Sequence, residues 1–162
     1  MTIIRTPLTE LVGIEHPVVQ TGMGWVAGAR LVSATANAGG LGIIASATMT
    51  IDELATAIAK VKSATDKPFG VNIRADASDA GDRVDLMIRE GVKVASFALA
   101  PKAELIAKLK EAGAVVIPSV GAAKHAKKVA SWGADAVIVQ GGEGGGHTGP
   151  VAGVAFAPDG RL

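Results

Sequence analysis

The residues of this chain best suited to chemistry lie in one segment, Gln140-Gly141-Gly142-Glu143-Gly144-Gly145-Gly146-His147-Thr148-Gly149-Pro150. Glycines in such density let backbone amides approach a ligand without Cβ obstruction, and they permit the positive φ values that build an anion-binding concavity. His147 closes the run. Imidazole is the only side chain whose unperturbed pKa lets it exchange protons near neutral pH, which makes His147 the natural general base. The other two histidines lack such a setting. His16 precedes the first apolar run, and His125 sits among Lys124, Lys127 and Lys128, so both read as surface or structural residues. No G-K-[ST] ending makes the glycine run a Walker loop, and no G-x-S-x-G supplies a serine nucleophile. His and carboxylates nowhere adopt metal-ligand spacing, so no metal is expected.

A catalytic loop needs a scaffold, and the sequence contains a repeating one. Apolar runs at residues 17–20, 41–45, 69–73, 92–97, 114–119 and 136–140 show almost no alternation with polar residues, which predicts strands buried on both faces. Between them, 28–38, 51–64, 80–90, 102–111 and 122–131 have helical spacing. Leu54, Ile58 and Val61 fall on one face with Lys60 and Lys62 turned away, and Leu105, Ile106 and Leu109 repeat the pattern. Gly39, Gly91, Gly113 and Gly133 stand where helices should stop, and Asp52, Glu53 and Asp79 stand near helix starts. Alternating β and α of this kind implies a parallel sheet with right-handed crossovers. The first strand-helix turn, 21–28, carries only a broken G-x-G-x-x-G, which favours a (β/α)8-type TIM barrel over a doubly wound dinucleotide fold. In a barrel the active site forms after the carboxyl ends of the strands. The polar residues there are Gln20, Ser46, Asn72, Ser96, Ser119 and Gln140, and the buried amides among them need partners.

Composition narrows the class further. A hydrophobic share of 49% is ample for a folded core, and sixteen basic against fifteen acidic residues form no long block of one sign. Nucleic acid and membrane are therefore not expected partners. Zero cysteines exclude disulfides, thiolate metal sites and a cysteine nucleophile, and fit a cytoplasmic protein. Residues 1–7 are too poor in apolar side chains to read as a signal peptide.

The segments Pro17-Val-Val-Gln-Thr-Gly-Met-Gly24, Ala38-Gly-Gly-Leu-Gly42, Pro68-Phe-Gly-Val-Asn-Ile73, Gly133-Ala-Asp-Ala136 and Gln140-Gly-Gly-Glu-Gly-Gly-Gly-His147 together resemble the nitronate monooxygenases, formerly 2-nitropropane dioxygenases. Their relatives the flavin-dependent enoyl-thioester reductases share the pattern. The chain is similar in particular to an actinobacterial branch that includes a reductase of a CoA thioester in steroid ring degradation. The resemblance implies FMN as cofactor, lined by Gly22, Met23 and Gly24, bonded by Asn72 and Gln140, and approached by the backbone of Gly145 and Gly146. It implies His147 as catalytic base and a small-molecule substrate. Oxidation of alkyl nitronates with dioxygen is the leading expectation; NAD(P)H-dependent reduction of an unsaturated CoA or carrier thioester is the alternative, and a fragment without activity of its own is the third. Such a barrel has eight strands, and the loops after the last two hold the flavin phosphate. Residues 1–152 read as six βα units and 153–162 as a divergent tail, so a barrel not closed by this chain alone is expected, with two free sheet edges through which a homo-oligomer could form.

Overall fold

The computed structural model describes residues 4–142 together with Gly144 and Gly145. Helix α1 (Pro7–Val12) leads into strand β1 (Val19–Gln20) and helix α2 (Ala29–Asn37). Strand β2 (Leu41–Ala45) is followed by one 3₁₀ turn at Ser46–Thr48 and by α3 (Ile51–Ala64). The pattern continues through β3 (Phe69–Arg74), α4 (Ala80–Arg89), β4 (Val94–Ala98) and α5 (Ala103–Glu111). It ends with β5 (Val115–Val120), α6 (Ala123–Ser131) and β6 (Ile138–Val139). The six strands lie side by side in chain order, every pair parallel. An open doubly wound sheet reverses its strand order at a switch point; a barrel wall does not. The chain folds as half of a barrel.

Each strand presents alternate residues to two different layers. Ile44, Val71, Ile73, Ala95, Phe97 and Val116 pack with Val32, Leu54, Ile58, Val84, Ile106 and Val129 of the outer helices. Leu41, Ile43, Val94, Val115 and Ile117 face the other way and cluster with Val12 and Ile14. The register Ala45↔Asn72↔Ser96↔Ile117 continues this inner face toward the carboxyl ends of the strands. There the apolar layers give way to polar groups, which is where a barrel keeps its chemistry.

Local chemistry fixes the elements. Thr50 caps α3, its hydroxyl accepting from the Glu53 N–H at 3.2 Å while the Glu53 carboxylate accepts from the Thr50 N–H at 2.8 Å. Gly39, Gly91, Gly113 and Gly133 all have φ between +64° and +98°, as their helix-stop role requires. Gly42 has a packing role: a Cβ there would come within 2.9 Å of Val32 Cα, so α2 can lie this close on β2 only over a glycine.

Two readings of the sequence need correction. Helix α1 was absent from the pattern of periodic segments, because six residues are too few to show periodicity; its signal is Thr6-Pro7 with reciprocal Thr6 and Thr9 capping. The end strands are shorter than their apolar runs, and neither β1 nor β6 is buried on both faces. They are the edges of the sheet, so each is covered by one neighbour only. Asp79 stands at the start of α4 as expected, with its carboxylate engaged by Arg83. No helix among the described residues is long and apolar enough to cross a membrane.

Candidate functional site

The polar end of the inner face is built around Asn72. It occupies an inward position near the end of β3, and three neighbours hold it. Ser46 Oγ donates to the Asn72 carbonyl at 2.7 Å, and Asn72 Nδ2 donates to Ser96 Oγ at 3.0 Å. The third is the loop after β1: a Cβ on Gly22 would lie 2.7 Å from Asn72 Cβ and 3.2 Å from its Cγ, so only glycine lets this loop rest on the Asn72 side chain. Ser46 and Ser96 are fully buried. Asn72 Oδ1 makes no hydrogen bond within the described residues and is not sealed off. It is an acceptor held at the open end of the inner face.

The rest of the loop is wedged less tightly. A Cβ on Gly24 would approach Thr48 Cγ2 at 3.2 Å, and Trp25 N–H points to Thr48 Oγ1 at 3.4 Å. Gln20 Nε2 donates to the Thr21 and Ile43 carbonyls, which leaves its Oε1 buried with no donor among the described residues. Met23, Trp25 and Val26 remain exposed, Trp25 to 90%. Trp25 and Leu99 are the described non-glycine residues with positive φ, at 59° and 70°. Each follows the carboxyl end of a strand, and backbone strain of this kind collects at ligand-handling loops.

Below the 3₁₀ turn lies a group that sequence reasoning missed. Arg83 of α4 is only 6% exposed, and its guanidinium donates to Ser46 O at 2.6 Å, Met49 O at 2.8 Å and Asp79 Oδ2 at 2.7 Å. The Asp79–Arg83 spacing of four on a helix was the available signal. Arg83 thus anchors the turn whose Ser46 braces Asn72. Beside it, Arg74 chelates Asp76 at 2.9 and 2.6 Å on the surface, and Arg74, Asp79 and Arg83 line a cleft of about 330 Å³ with Ala47, Ala77 and Ser78. Both arginines of the cleft are already paired, Arg74 with Asp76 and Arg83 with Asp79.

The Arg83 hydrogen bond holds the Asp79 carboxyl below the ordinary carboxylate range. A carboxylate with a lowered folded pKa contributes stability that is full above its unfolded pKa, near 3.9, and is lost as pH falls through the folded value. Asp79→Asn is therefore expected to lower the thermal midpoint near pH 6 and to differ progressively less from the parent as pH approaches 3. A midpoint difference that does not shrink on acidification would detach Asp79 from this linkage.

Of the residues singled out by the sequence, Gly22 and Asn72 are in contact and Met23 and Gly24 adjoin them at the β1 edge of the sheet. Gln140 lies at the opposite edge, immediately after β6, where its N–H donates to Val120 O at 3.1 Å. A Cβ on Gly145 would meet nothing within 4 Å, so packing does not explain a glycine there. Gly146 and His147 lie outside the described residues. The residues present suit a flat, hydrogen-bonding cofactor: a glycine-backed cradle, a fixed amide oxygen at its side, and an unobstructed backbone at the far edge.

Comparison with known proteins agrees with this architecture. A family model described as nitronate monooxygenase matches residues 5–159. The chain is 85% identical over 155 residues to the (3aS,4S,5R,7aS)-5-hydroxy-7a-methyl-1-oxo-octahydro-1H-indene-4-carboxyl-CoA dehydrogenase of Mycobacterium tuberculosis, covering 96% of this chain and 44% of that protein. Among solved structures, FabK from Thermotoga maritima superposes with a TM-score of 0.88 at 46% identity, over 92% of this chain and 48% of that one. The nitroalkane oxidase of Streptomyces ansochromogenes gives 0.79 at 30% identity, over 89% and 51%. The chain spans about half the length of the curated relatives it matches.

Proposed function

Since the chain belongs to the nitronate monooxygenase family, we propose that it forms the first half of the active site of an FMN-dependent oxidoreductase whose substrate is the CoA thioester of a cyclic acid. The observation that carries this reading is the 85% identity to a relative named for such a substrate. Fold alone would carry no function. Buried residues are a minority of this chain, so identity at that level must extend through most exposed and loop positions, where specificity resides. This reverses the order of the two expectations drawn from the sequence, in which nitronate oxidation came first.

Gly22, Met23, Gly24, Asn72, Gln140, Gly145 and Gly146 would hold the FMN. When bound, the flavin supplies the two-electron redox step. The chain's own residues then have separable tasks. Asn72 offers a fixed acceptor, and the backbone of residues 22–24 and 145–146 supplies donors free of Cβ obstruction. Exposed Met23, Trp25 and Val26 offer apolar surface to a hydrocarbon ring. The His147 imidazole moves the proton at the carbon next to the thioester carbonyl, taking it as hydrogen is removed and returning it in the reverse direction.

Anaerobic addition of a cyclic acyl-CoA or its unsaturated counterpart with NAD(P)H to the purified full-length holoprotein is expected to change the flavin absorbance. The second reading, oxidation of a nitronate with dioxygen, draws on the match to nitroalkane oxidase. Oxygen consumption with a nitronate, combined with a flavin indifferent to every thioester, would restore it to first place.

The cradle makes a further prediction. Gly22→Ala should push the loop off Asn72 and weaken FMN binding about tenfold or more, read as a dissociation constant from quenching of flavin fluorescence. Unchanged affinity would remove residues 22–24 from the flavin site.

A further inference from the structure

We infer that Leu99 is a specificity-determining residue of the acyl site: its side chain is held at the mouth of the barrel, where it contacts the hydrocarbon ring of a cyclic acyl thioester. The inference rests on the thioester reading of the site proposed above.

Exposure of a single leucine is ordinary. A leucine held out of an available core by a left-handed backbone is not. Leu99 is the residue after β4, and its φ of 70° lies where a Cβ crowds the following carbonyl and where Gly, Asn and Asp are the usual occupants. Ala95 and Phe97 of β4 pack in the layer of outer helices, and the two-residue period of a strand would carry residue 99 to that same side. The left-handed residue ends the extended strand at this point. Leu99 joins neither apolar cluster and stays 60% exposed.

A free sheet edge does not account for this exposure. Val18, Val19, Met23, Trp25 and Val26 are exposed on or beside β1, which is an edge strand. Strand β4 is interior, bonded to β3 on one side and to β5 on the other. Leu99 also lies close to the polar end of the inner face. It follows Ser96, the partner of Asn72, by three residues, so the two Cα atoms are at most about 11 Å apart, a distance that a fused ring and the leucine side chain bridge together. The relative at 85% identity is named for the CoA thioester of a methyl-octahydroindene acid, a largely saturated bicycle whose apolar faces suit such a contact. Trp25, the other described non-glycine residue with positive φ, is likewise large, apolar and exposed after a strand. In an eight-stranded barrel β1 and β4 stand three strands apart, which puts Trp25 and Leu99 on different sides of the mouth.

The test compares two ligands of the oxidised full-length holoprotein, cyclohexanecarboxyl-CoA and acetyl-CoA, each titrated through its perturbation of the flavin absorbance. Leu99→Asn and Leu99→Gly both relax the left-handed strain while removing the apolar side chain, so neither is expected to lower the thermal midpoint. The parent is expected to bind the ring ligand at least about tenfold more tightly than acetyl-CoA. Both variants should cut that preference about fivefold or more by weakening cyclohexanecarboxyl-CoA, with the acetyl-CoA affinity within about twofold of the parent. A parent without ring preference, or a preference preserved in either variant, would overturn the inference while leaving the thioester site in place. A lowered midpoint in both variants would also overturn it, because Leu99 would then pack against protein rather than ligand. A parent flavin that responds to neither thioester would remove the inference together with the reading beneath it.

Discussion

Replacing His147 with alanine is expected to lower turnover of the full-length protein by about two to four orders of magnitude, with FMN still bound. A proton on carbon next to a thioester carbonyl or a nitro group leaves slowly unless a base of matched pKa stands beside it. Imidazole is the side chain whose ordinary pKa meets that requirement at neutral pH. Among the three histidines, His16 and His125 are exposed, the first ahead of β1 and the second on α6. His16 stands before the amino end of β1, and His125 sits on the first turn of an outer helix among lysines. His147 follows the glycine run after β6 and lies outside the described residues, so the prediction draws on sequence and family. The measurement is kcat across pH, with flavin content read from visible absorbance. The parent should show a limb that titrates near the imidazole range, and His147→Ala should lose the limb along with the rate. A variant that retains both rate and limb would transfer the base to another residue; one that loses flavin instead would make His147 a cofactor contact.

The second large effect is on stability. Arg83→Met is expected to destabilise the protein by about 2 kcal/mol, because it removes the guanidinium's hydrogen bonds to one buried and one part-buried carbonyl while keeping a stem of similar size. Ser46 O and Met49 O take the Arg83 hydrogen bonds at 2.6 and 2.8 Å; the apolar methionine replaces neither, and Ser46 O keeps the Met49 N–H at 3.0 Å. Asp79 contributes less to the loss, since its side chain is 36% exposed and water can replace its partner. Urea unfolding gives the measurement, as a lowered midpoint with an unchanged slope. The effect should reach the site as well: loosening the turn at Ser46–Thr48 releases Ser46 from Asn72, so FMN affinity should fall in the variant even where it remains folded. A midpoint unchanged from the parent would mean that water already serves those carbonyls.

Much of this protein was legible before any coordinates. Strand β2 and helix α3 coincide with the apolar run and the helical period that predicted them, because each buries a face long enough for periodicity to register. Glycines 39, 91, 113 and 133 announced their positive φ by standing at helix ends. Asn72 was marked as an amide in an apolar strand that had to find a partner. What failed to register was short or non-local. Helix α1 has too few residues for a period, and nothing in the spacing of α4 shows that Arg83 reaches carbonyls 34 and 37 positions away.

The sequence by itself determined the alternation of strand and helix, the barrel class and the family, since these follow from periodicities and motifs carried within single elements. Only the tertiary structure decided that Ser96 bonds Asn72, that Gly22 must be glycine because it rests on that same side chain, and that Arg83 is buried beneath Ser46. The reason is physical. Each of these contacts joins residues more than twenty positions apart: strand register pairs Ser96 with Asn72, and a loop and a helix packed on the sheet bring in Gly22 and Arg83, so none of them exists before the sheet has formed.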